Sequence, residues 1–183
     1  KKNYFSTFLK FAQDFVNLSI KYKTKIDFCF KPHPALKAKL YSHKDWGYEK
    51  TNEYYNYWST GHNTILSQGD YHELFVESDA LILDSVSFAA EYLYLNKPYC
   101  FLIKDNFDYN VSLNEIGKKI FKTINKSNNI NSVETFIENN VLKINKNRLN
   151  EQKKTLNELN FLNYKNKLAS ENIFNFIEKS IFN

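Results

Sequence analysis

The sequence predicts an α/β fold in which a parallel sheet is flanked by helices, and two observations carry this prediction. Apolar runs too short for helices alternate with segments of helical periodicity through the first 103 residues. One such run, residues 80–83, is apolar throughout, as in a strand that is buried on both faces of a parallel sheet. This alternation favours right-handed crossovers and a Rossmann-like sheet, followed by a helical C-terminal tail.

Each predicted element has its own local signal. Apolar residues at helical spacing predict a first helix over residues 5–20, and Pro32 and Pro34 end the first strand because proline cannot continue a ladder. Asp70 with Glu73 three positions later has the pattern of a capping box. Strands are expected at residues 26–30, 64–66, 80–83 and 98–103, further helices at residues 35–58, 70–78, 88–95, 113–124, 133–142, 149–159 and 165–181, and a loose loop at residues 125–131.

Composition limits the possible classes of protein. The chain has 183 residues, of which 43% are hydrophobic, enough for one domain with a real core, and no apolar run approaches membrane-spanning length. Its 183 residues include no methionine, so we expect a fragment of a longer protein. The net charge is +5, but Arg148 is the one arginine among 25 basic residues, which argues against nucleic-acid binding. Cys29 and Cys100 are expected to be reduced core thiols of a cytoplasmic protein.

The first candidate site is the turn Lys31-Pro32-His33-Pro34, which directly follows the first predicted strand. In an open parallel sheet, ligands bind at the carboxyl ends of the strands. The flanking prolines restrict the backbone around His33, and a fixed imidazole beside a lysine suits an anion such as a diphosphate. The alternative is an exposed histidine at a strand end that has no task.

The second candidate site is the turn Asp84-Ser85-Val86-Ser87, where a buried strand leads into a helix. Hydroxyls and free backbone N–H groups at such a point can hold a phosphate. Glu91 lies one helical turn beyond Ser87, where its carboxylate can accept hydrogen bonds from a ribose. Ordinary N-capping by a serine or aspartate, with Glu91 on a solvated helix face, explains the same residues equally well.

His72 is a further candidate because it stands at the start of a predicted helix, near the presumed ligand edge of the sheet, where it could touch a nucleotide. His43 and His62 are expected to be exposed without a role. The four histidines show no zinc-like spacing, and no glycine-rich phosphate loop is present. We therefore expect neither a metal ion nor a bound cofactor.

Together these motifs resemble a known family. Three motifs carry the resemblance: the strand-end pair His33-Pro34, the block Ser78-Asp79-Ala80-Leu81-Ile82-Leu83-Asp84-Ser85-Val86-Ser87 with its later Glu91, and the pair Lys97-Pro98. They resemble the carboxy-terminal half of the CDP-glycerol glycerophosphotransferases, which are teichoic-acid and capsule polymerases. The resemblance is densest over residues 28–103. One departure is Val86, which stands where the family has its first serine, so that Ser85 would have to compensate.

The resemblance implies that residues 1–183 are a single donor-binding domain, one half of a two-domain GT-B transferase. His33 would be the catalytic contact to the diphosphate beside Lys31, while Asp84, Ser85, Ser87 and Glu91 would bind the rest of the donor. The family's histidine-glycine motif, the source of its catalytic base, belongs to an upstream acceptor-binding domain. The family's donor domain also begins with a strand, whereas this sequence begins with a helix, so the sheet is expected to be incomplete.

The resemblance thus implies a transferase domain that binds a CDP-activated, CDP-glycerol-like donor for a cell-surface polymer, and that is inactive alone. It would work in the cytoplasm, with contact to the inner membrane face as an option. Two alternatives stay open. One is a UDP-sugar glycosyltransferase or epimerase of the same fold, and the other is a non-catalytic lysine-rich module that docks on a membrane or partner.

Overall fold

A computed structural model describes residues 6–105, 108–143, 146–159 and 168–182. Their contacts divide the chain into two compact units, which are described separately. The N-terminal unit is Ser6–Ser78, and the C-terminal unit comprises the described residues from Asp79 onward. Both units have the α/β character that the alternating sequence pattern predicts, with short parallel sheets and flanking helices.

The N-terminal unit contains a two-stranded parallel sheet in which Phe28, Cys29 and Phe30 pair with Thr64, Ile65 and Leu66. Its elements are α1 (Phe8–Lys21), β1 (Phe28–Phe30), α2 (Leu36–Tyr41), α3 (Gly47–Thr60), β2 (Thr64–Leu66) and α4 (His72–Glu77). The long predicted helix is divided at Gly47, whose positive φ of 67° is a conformation that glycine adopts without strain.

Aromatic side chains form the core of the N-terminal unit. Tyr54, Tyr55 and Trp58 of α3 are buried in one cluster with Ala12 of α1 and Leu40 of α2, and Phe30 of β1 packs against it. The Phe30 ring centroid lies 5.6 Å from that of Tyr54 and 5.5 Å from that of Trp58. The residue that ends β1, immediately before Lys31, is therefore fixed by the core.

The C-terminal unit contains a three-stranded parallel sheet of order β3-β4-β5. Its elements are β3 (Leu81–Leu83), α5 (Val86–Leu93), β4 (Tyr99–Leu102), α6 (Tyr109–Ser112), α7 (Glu115–Thr123), β5 (Asn125–Ser127), α8 (Ile130–Phe136), a π-helical turn (Ile137–Val141), α9 (Lys146–Leu159) and α10 (Ala169–Phe182). The central strand β4 is buried along its whole length, as a continuous apolar run predicts. Helix α5 packs on β3 and β4, and α7 packs on α5 and α9.

Five local predictions are wrong. Strand β3, expected to be buried on both faces, is buried at Leu83 but only half-buried at Leu81 and Ile82. Residues 125–127, expected in a loop, form β5, because backbone pairing with β4 does not require apolar side chains. Helix α5 begins at Val86 rather than Phe88, since the Ala89 N–H already donates to the Ser85 carbonyl.

The other two errors are in the N-terminal unit. The N-cap of α4 is Tyr71 rather than Asp70, which instead accepts the N–H groups of Tyr71 and His72. Cys29 is exposed rather than part of the core, although Cys100 is buried as expected and both thiols are free.

None of the helices in the described part of the chain is both long enough and apolar enough to cross a bilayer.

Candidate functional site

The turn after β1 holds His33 in a defined orientation. Its carbonyl accepts the Leu36 N–H at 2.8 Å, and its ring Nδ1 accepts the Ala35 N–H at 3.1 Å. Pro32 before it is buried, while His33 itself is exposed. Hydrogen bonds from Ala35 and Leu36 thus hold the ring and the carbonyl of His33, in addition to the restriction that the flanking prolines place on its backbone.

The hydrogen bond to Ala35 also determines which nitrogen of His33 faces a ligand. A neutral imidazole has one N–H donor and one acceptor nitrogen, and here Nδ1 is the acceptor. The ring proton is therefore assigned to Nε2, which has no partner among the described residues. An outward N–H donor of this kind is suited to a phosphate oxygen.

Lys31 adds positive charge at the same turn. Its side chain is half-buried and forms no ion pair within the described residues. Partial removal from water raises the pKa of the Cys29 thiol, and the charge of Lys31, two residues further on, opposes that shift. The thiol is protonated at neutral pH and is not a nucleophile in this form.

The turn after β2 carries His72, which forms a pair with Asp70. His72 Nδ1 lies 2.6 Å from Asp70 Oδ1, and both side chains are largely exposed. The backbone N–H groups of His72 and Tyr71 also donate to Asp70. These hydrogen bonds lower the pKa of Asp70 to about 2, so the carboxylate is charged at neutral pH.

Ser85 and Ser87 pair with each other at the start of α5. Ser85 occupies the N-cap position, but its side chain forms no capping bond; its Oγ lies 3.1 Å from Ser87 Oγ instead. Capping by Ser85, one part of the alternative explanation, is therefore absent, whereas the exposure of Glu91 agrees with that explanation. The N–H groups of Val86 and Ser87 donate to none of the described residues, so two hydroxyls and two amides are available together.

Glu91 and Asp84 flank this turn. Glu91 and Ser87 are both exposed on α5, one helical turn apart, as their spacing predicts. Asp84 is half-buried, and its charge contributes to the raised pKa of Tyr109, behind the larger effect of burial. The Tyr109 hydroxyl accepts the Lys104 N–H at 3.0 Å.

Tyr109 is a residue that the sequence analysis missed. Its hydroxyl holds the segment after β4 through the Lys104 N–H, and its ring stacks on Phe121 with centroids 4.8 Å apart. The one local signal was Asp108 before it, whose carboxylate caps α6 through the Asn110 N–H. That signal marks the helix start and gives no hint of the contact to Lys104.

A cavity of about 220 Å³ lies beside Ser87, between α5, β4 and α7. Apart from Ser87 and Asn114, the side chains that line it are apolar, including the rings of Phe101 and Phe121. Asn114 Oδ1 is already occupied by the Gly117 N–H, which it accepts as the N-cap of α7. The cavity thus offers little polar contact besides Ser87.

Each sequence-predicted residue therefore lies in one of the two units. Lys31, His33 and His72 follow strands of the N-terminal sheet, and the remaining candidates, Asp84, Ser85, Ser87 and Glu91, follow β3 of the C-terminal sheet. Within the described ranges, no three histidine, cysteine, aspartate or glutamate side chains are grouped closely enough to hold a metal ion.

The chain is an α/β protein, and its candidate turns follow the carboxyl ends of parallel strands, which is where open parallel sheets generally bind ligands. Its sequence matches the profile of the family described as CDP-Glycerol:Poly(glycerophosphate) glycerophosphotransferase over residues 2–179. The chain belongs to this transferase family, which confirms the resemblance seen in the strand-end motifs. Comparison with curated proteins and with solved structures gives no significant match.

Proposed function

We propose that this chain binds a CDP-activated donor such as CDP-glycerol and serves the transfer of its glycerophosphate group to a growing cell-surface polymer. The observation that carries the proposal is the family match over residues 2–179. The fixed orientation of His33 and the open hydroxyl-amide turn before α5 support it, because both arrangements suit phosphate oxygens.

In the proposed reaction, an acceptor hydroxyl forms a bond to the phosphorus of the glycerophosphate group, and the bond from that phosphorus to CMP breaks. Negative charge then develops on the departing nucleotide phosphate. His33 would donate its Nε2–H to this phosphate, and Lys31 would offset the charge. The hydrogen bond from the Ala35 N–H holds the His33 ring, so this donor would need little rearrangement as the charge develops.

The turn before α5 would contribute neutral donors. Ser85 and Ser87 hydroxyls and the first N–H groups of the helix would bind phosphate oxygens, and Glu91 would accept hydrogen bonds from ribose hydroxyls. Asp84 would hold the turn from the strand side. Val86 supplies no hydroxyl where the family has serine, so we expect weaker binding here than a double-serine turn would give.

The wider setting is also part of the proposal. A GT-B partner domain would bind the acceptor and supply the base that removes the proton of the acceptor hydroxyl. Synthesis of a cell-envelope polymer would place the protein at the inner face of the cell membrane.

Isothermal titration calorimetry of the chain with CDP-glycerol, CDP, CMP and UDP tests the donor. We expect binding of CDP-glycerol and CDP and weaker binding of UDP. A preference for UDP would favour a nucleotide-sugar enzyme instead. No nucleotide binding, together with tight binding to anionic vesicles, would replace the proposal with the docking module.

A further inference from the structure

An exposed aromatic stack stands at the carboxyl end of β2. The rings of Tyr71 and His72 lie with centroids 4.4 Å apart and planes 20° from parallel. Tyr71 in turn packs on Phe75, whose side chain is buried, with centroids 5.0 Å apart. His72 is the outermost ring of the three, and 72% of its side chain is exposed.

The His72 ring is held although it is exposed. Asp70 accepts from its Nδ1 at 2.6 Å on the ring edge, and Tyr71 covers one face. Fixing a side chain costs rotamer entropy, which is usually recovered by burial. Because His72 is largely exposed, burial recovers little of this entropy cost. The hydrogen bond to Asp70 and the stack on Tyr71 nevertheless hold the His72 ring, with its other face open to solvent.

The chain segment that leads to the stack starts beside the segment that leads to His33. Phe30, the last residue of β1, pairs with Leu66, the last residue of β2, and the Ser67 N–H donates to the Phe30 carbonyl at 2.9 Å. Neighbouring strands lie about 4.8 Å apart. The segments leading to His33 and to His72 therefore leave adjacent points of the same sheet edge.

We propose that the open face of His72, backed by Tyr71, stacks on the nucleobase of the donor whose phosphates bind at Lys31 and His33. This inference rests on the proposed function and adds the place of the base. A nucleobase is planar, uncharged and aromatic, and it matches a flat ring with apolar support better than a phosphate does. Stacking of this kind tolerates any base, so the preference for cytosine must come from other contacts.

Binding measurements on ring variants of His72 test the proposal. Loss of one base–aromatic stack predicts that His72→Ala weakens CDP binding roughly 5- to 150-fold and leaves inorganic pyrophosphate binding unchanged. His72→Phe retains a ring and should keep CDP affinity close to that of the wild type. His62→Ala is the matched control, because His62 is also exposed but precedes β2 at the opposite end of the strand.

A fluorescent variant gives a second readout that does not depend on affinity alone. In His72→Trp, a stacked base should quench the indole emission when CDP is added, whereas pyrophosphate should leave the emission unchanged. Circular dichroism of each variant verifies the fold, which substitution of an exposed ring should not disturb. Equal quenching by both ligands would overturn the stacking assignment.

The outcomes separate this inference from the proposed function. Unchanged CDP binding in His72→Ala would overturn the stack while leaving the donor proposal standing. Equal loss of CDP and pyrophosphate binding in that variant would make His72 a phosphate contact and overturn it as well. A wild-type chain that binds neither ligand would remove the donor proposal and the stack together.

Discussion

The two candidate turns differ in the means by which each would bind an anion. The turn after β1 presents a positive side chain and an imidazole N–H on a backbone fixed by prolines. The turn after β3 presents no positive side chain of its own; it offers hydroxyls and unpaired amides at a helix start. One turn relies on charge and the other on oriented dipoles.

This difference affects how strongly, and over what distance, each turn would attract an anion. The charge of Lys31 attracts an anion over a distance of about 10 Å but is screened by salt. Hydroxyl and amide donors act only at hydrogen-bond distance, so their contribution depends on close geometry. We therefore expect the first turn to dominate affinity, and the second to discriminate between ligands of different shape.

The first prediction concerns His33, for which we expect the largest effect. A hydrogen bond to a charged group contributes about 1.5–3 kcal/mol, so His33→Ala should weaken CDP binding roughly 10- to 150-fold. His33→Gln keeps one acceptor for the Ala35 N–H and one outward donor, and should recover part of the loss. Calorimetry measures both variants. His33→Ala with full affinity would mean that the turn after β1 is not the anion site.

The second prediction concerns the hydroxyls of the other turn. Ser87→Ala removes one neutral donor and should weaken CDP binding about 5-fold, equivalent to about 1 kcal/mol. Val86→Ser adds the hydroxyl that the family pattern has there and should strengthen binding by a similar factor. Val111→Ser is the control, because Val111 is 83% exposed on α6. A Val86→Ser variant that binds no better would indicate that the phosphate lies elsewhere.

The contrast between the turns also shows what could be predicted from the sequence. Strand β2 was predicted with its observed limits, and the turn at Lys31–Pro34 was located correctly, because proline and apolar runs act locally. Ser85 and Ser87 were identified as a pair, but their mutual hydrogen bond was not, since a hydroxyl can point towards several partners. The sequence therefore predicted which residues form each turn, but not which of their side chains hydrogen-bond to each other.

Strand β5 could not be predicted because its stability comes from distant residues. Asn125 and Ser127 are polar, yet the Asn125 amide donates to the Tyr99 carbonyl, and Ser127 Oγ lies 3.1 Å from Cys100 Sγ in the interior. These contacts join residues 26 and 27 positions apart, beyond any local pattern. Tyr109 was missed for a different reason: its hydroxyl accepts the N–H of Lys104, only five residues away, but a single side-chain contact in a loop leaves no periodic pattern in the sequence.

Two buried tyrosines, Tyr55 of the N-terminal unit and Tyr109 of the C-terminal unit, differ in the pairing of the side-chain hydroxyl. Tyr55, in the aromatic core under the first turn, is 3% exposed, and its hydroxyl has no hydrogen-bond partner within the described residues. Burial raises its pKa to about 12. Tyr109, in the C-terminal unit, is also buried, but its hydroxyl accepts the Lys104 N–H.

The third prediction follows from that contrast. Tyr109→Phe should lower the free energy of unfolding by about 1 kcal/mol, because it leaves the Lys104 N–H without its acceptor. Tyr55→Phe should leave the free energy of unfolding unchanged or raise it by up to about 1 kcal/mol, because it removes a buried polar atom that gains nothing from the fold. Urea unfolding followed by circular dichroism measures both changes. A destabilising Tyr55→Phe would mean that this hydroxyl has a partner, such as a buried water, and that Tyr55 and Tyr109 are alike in this respect.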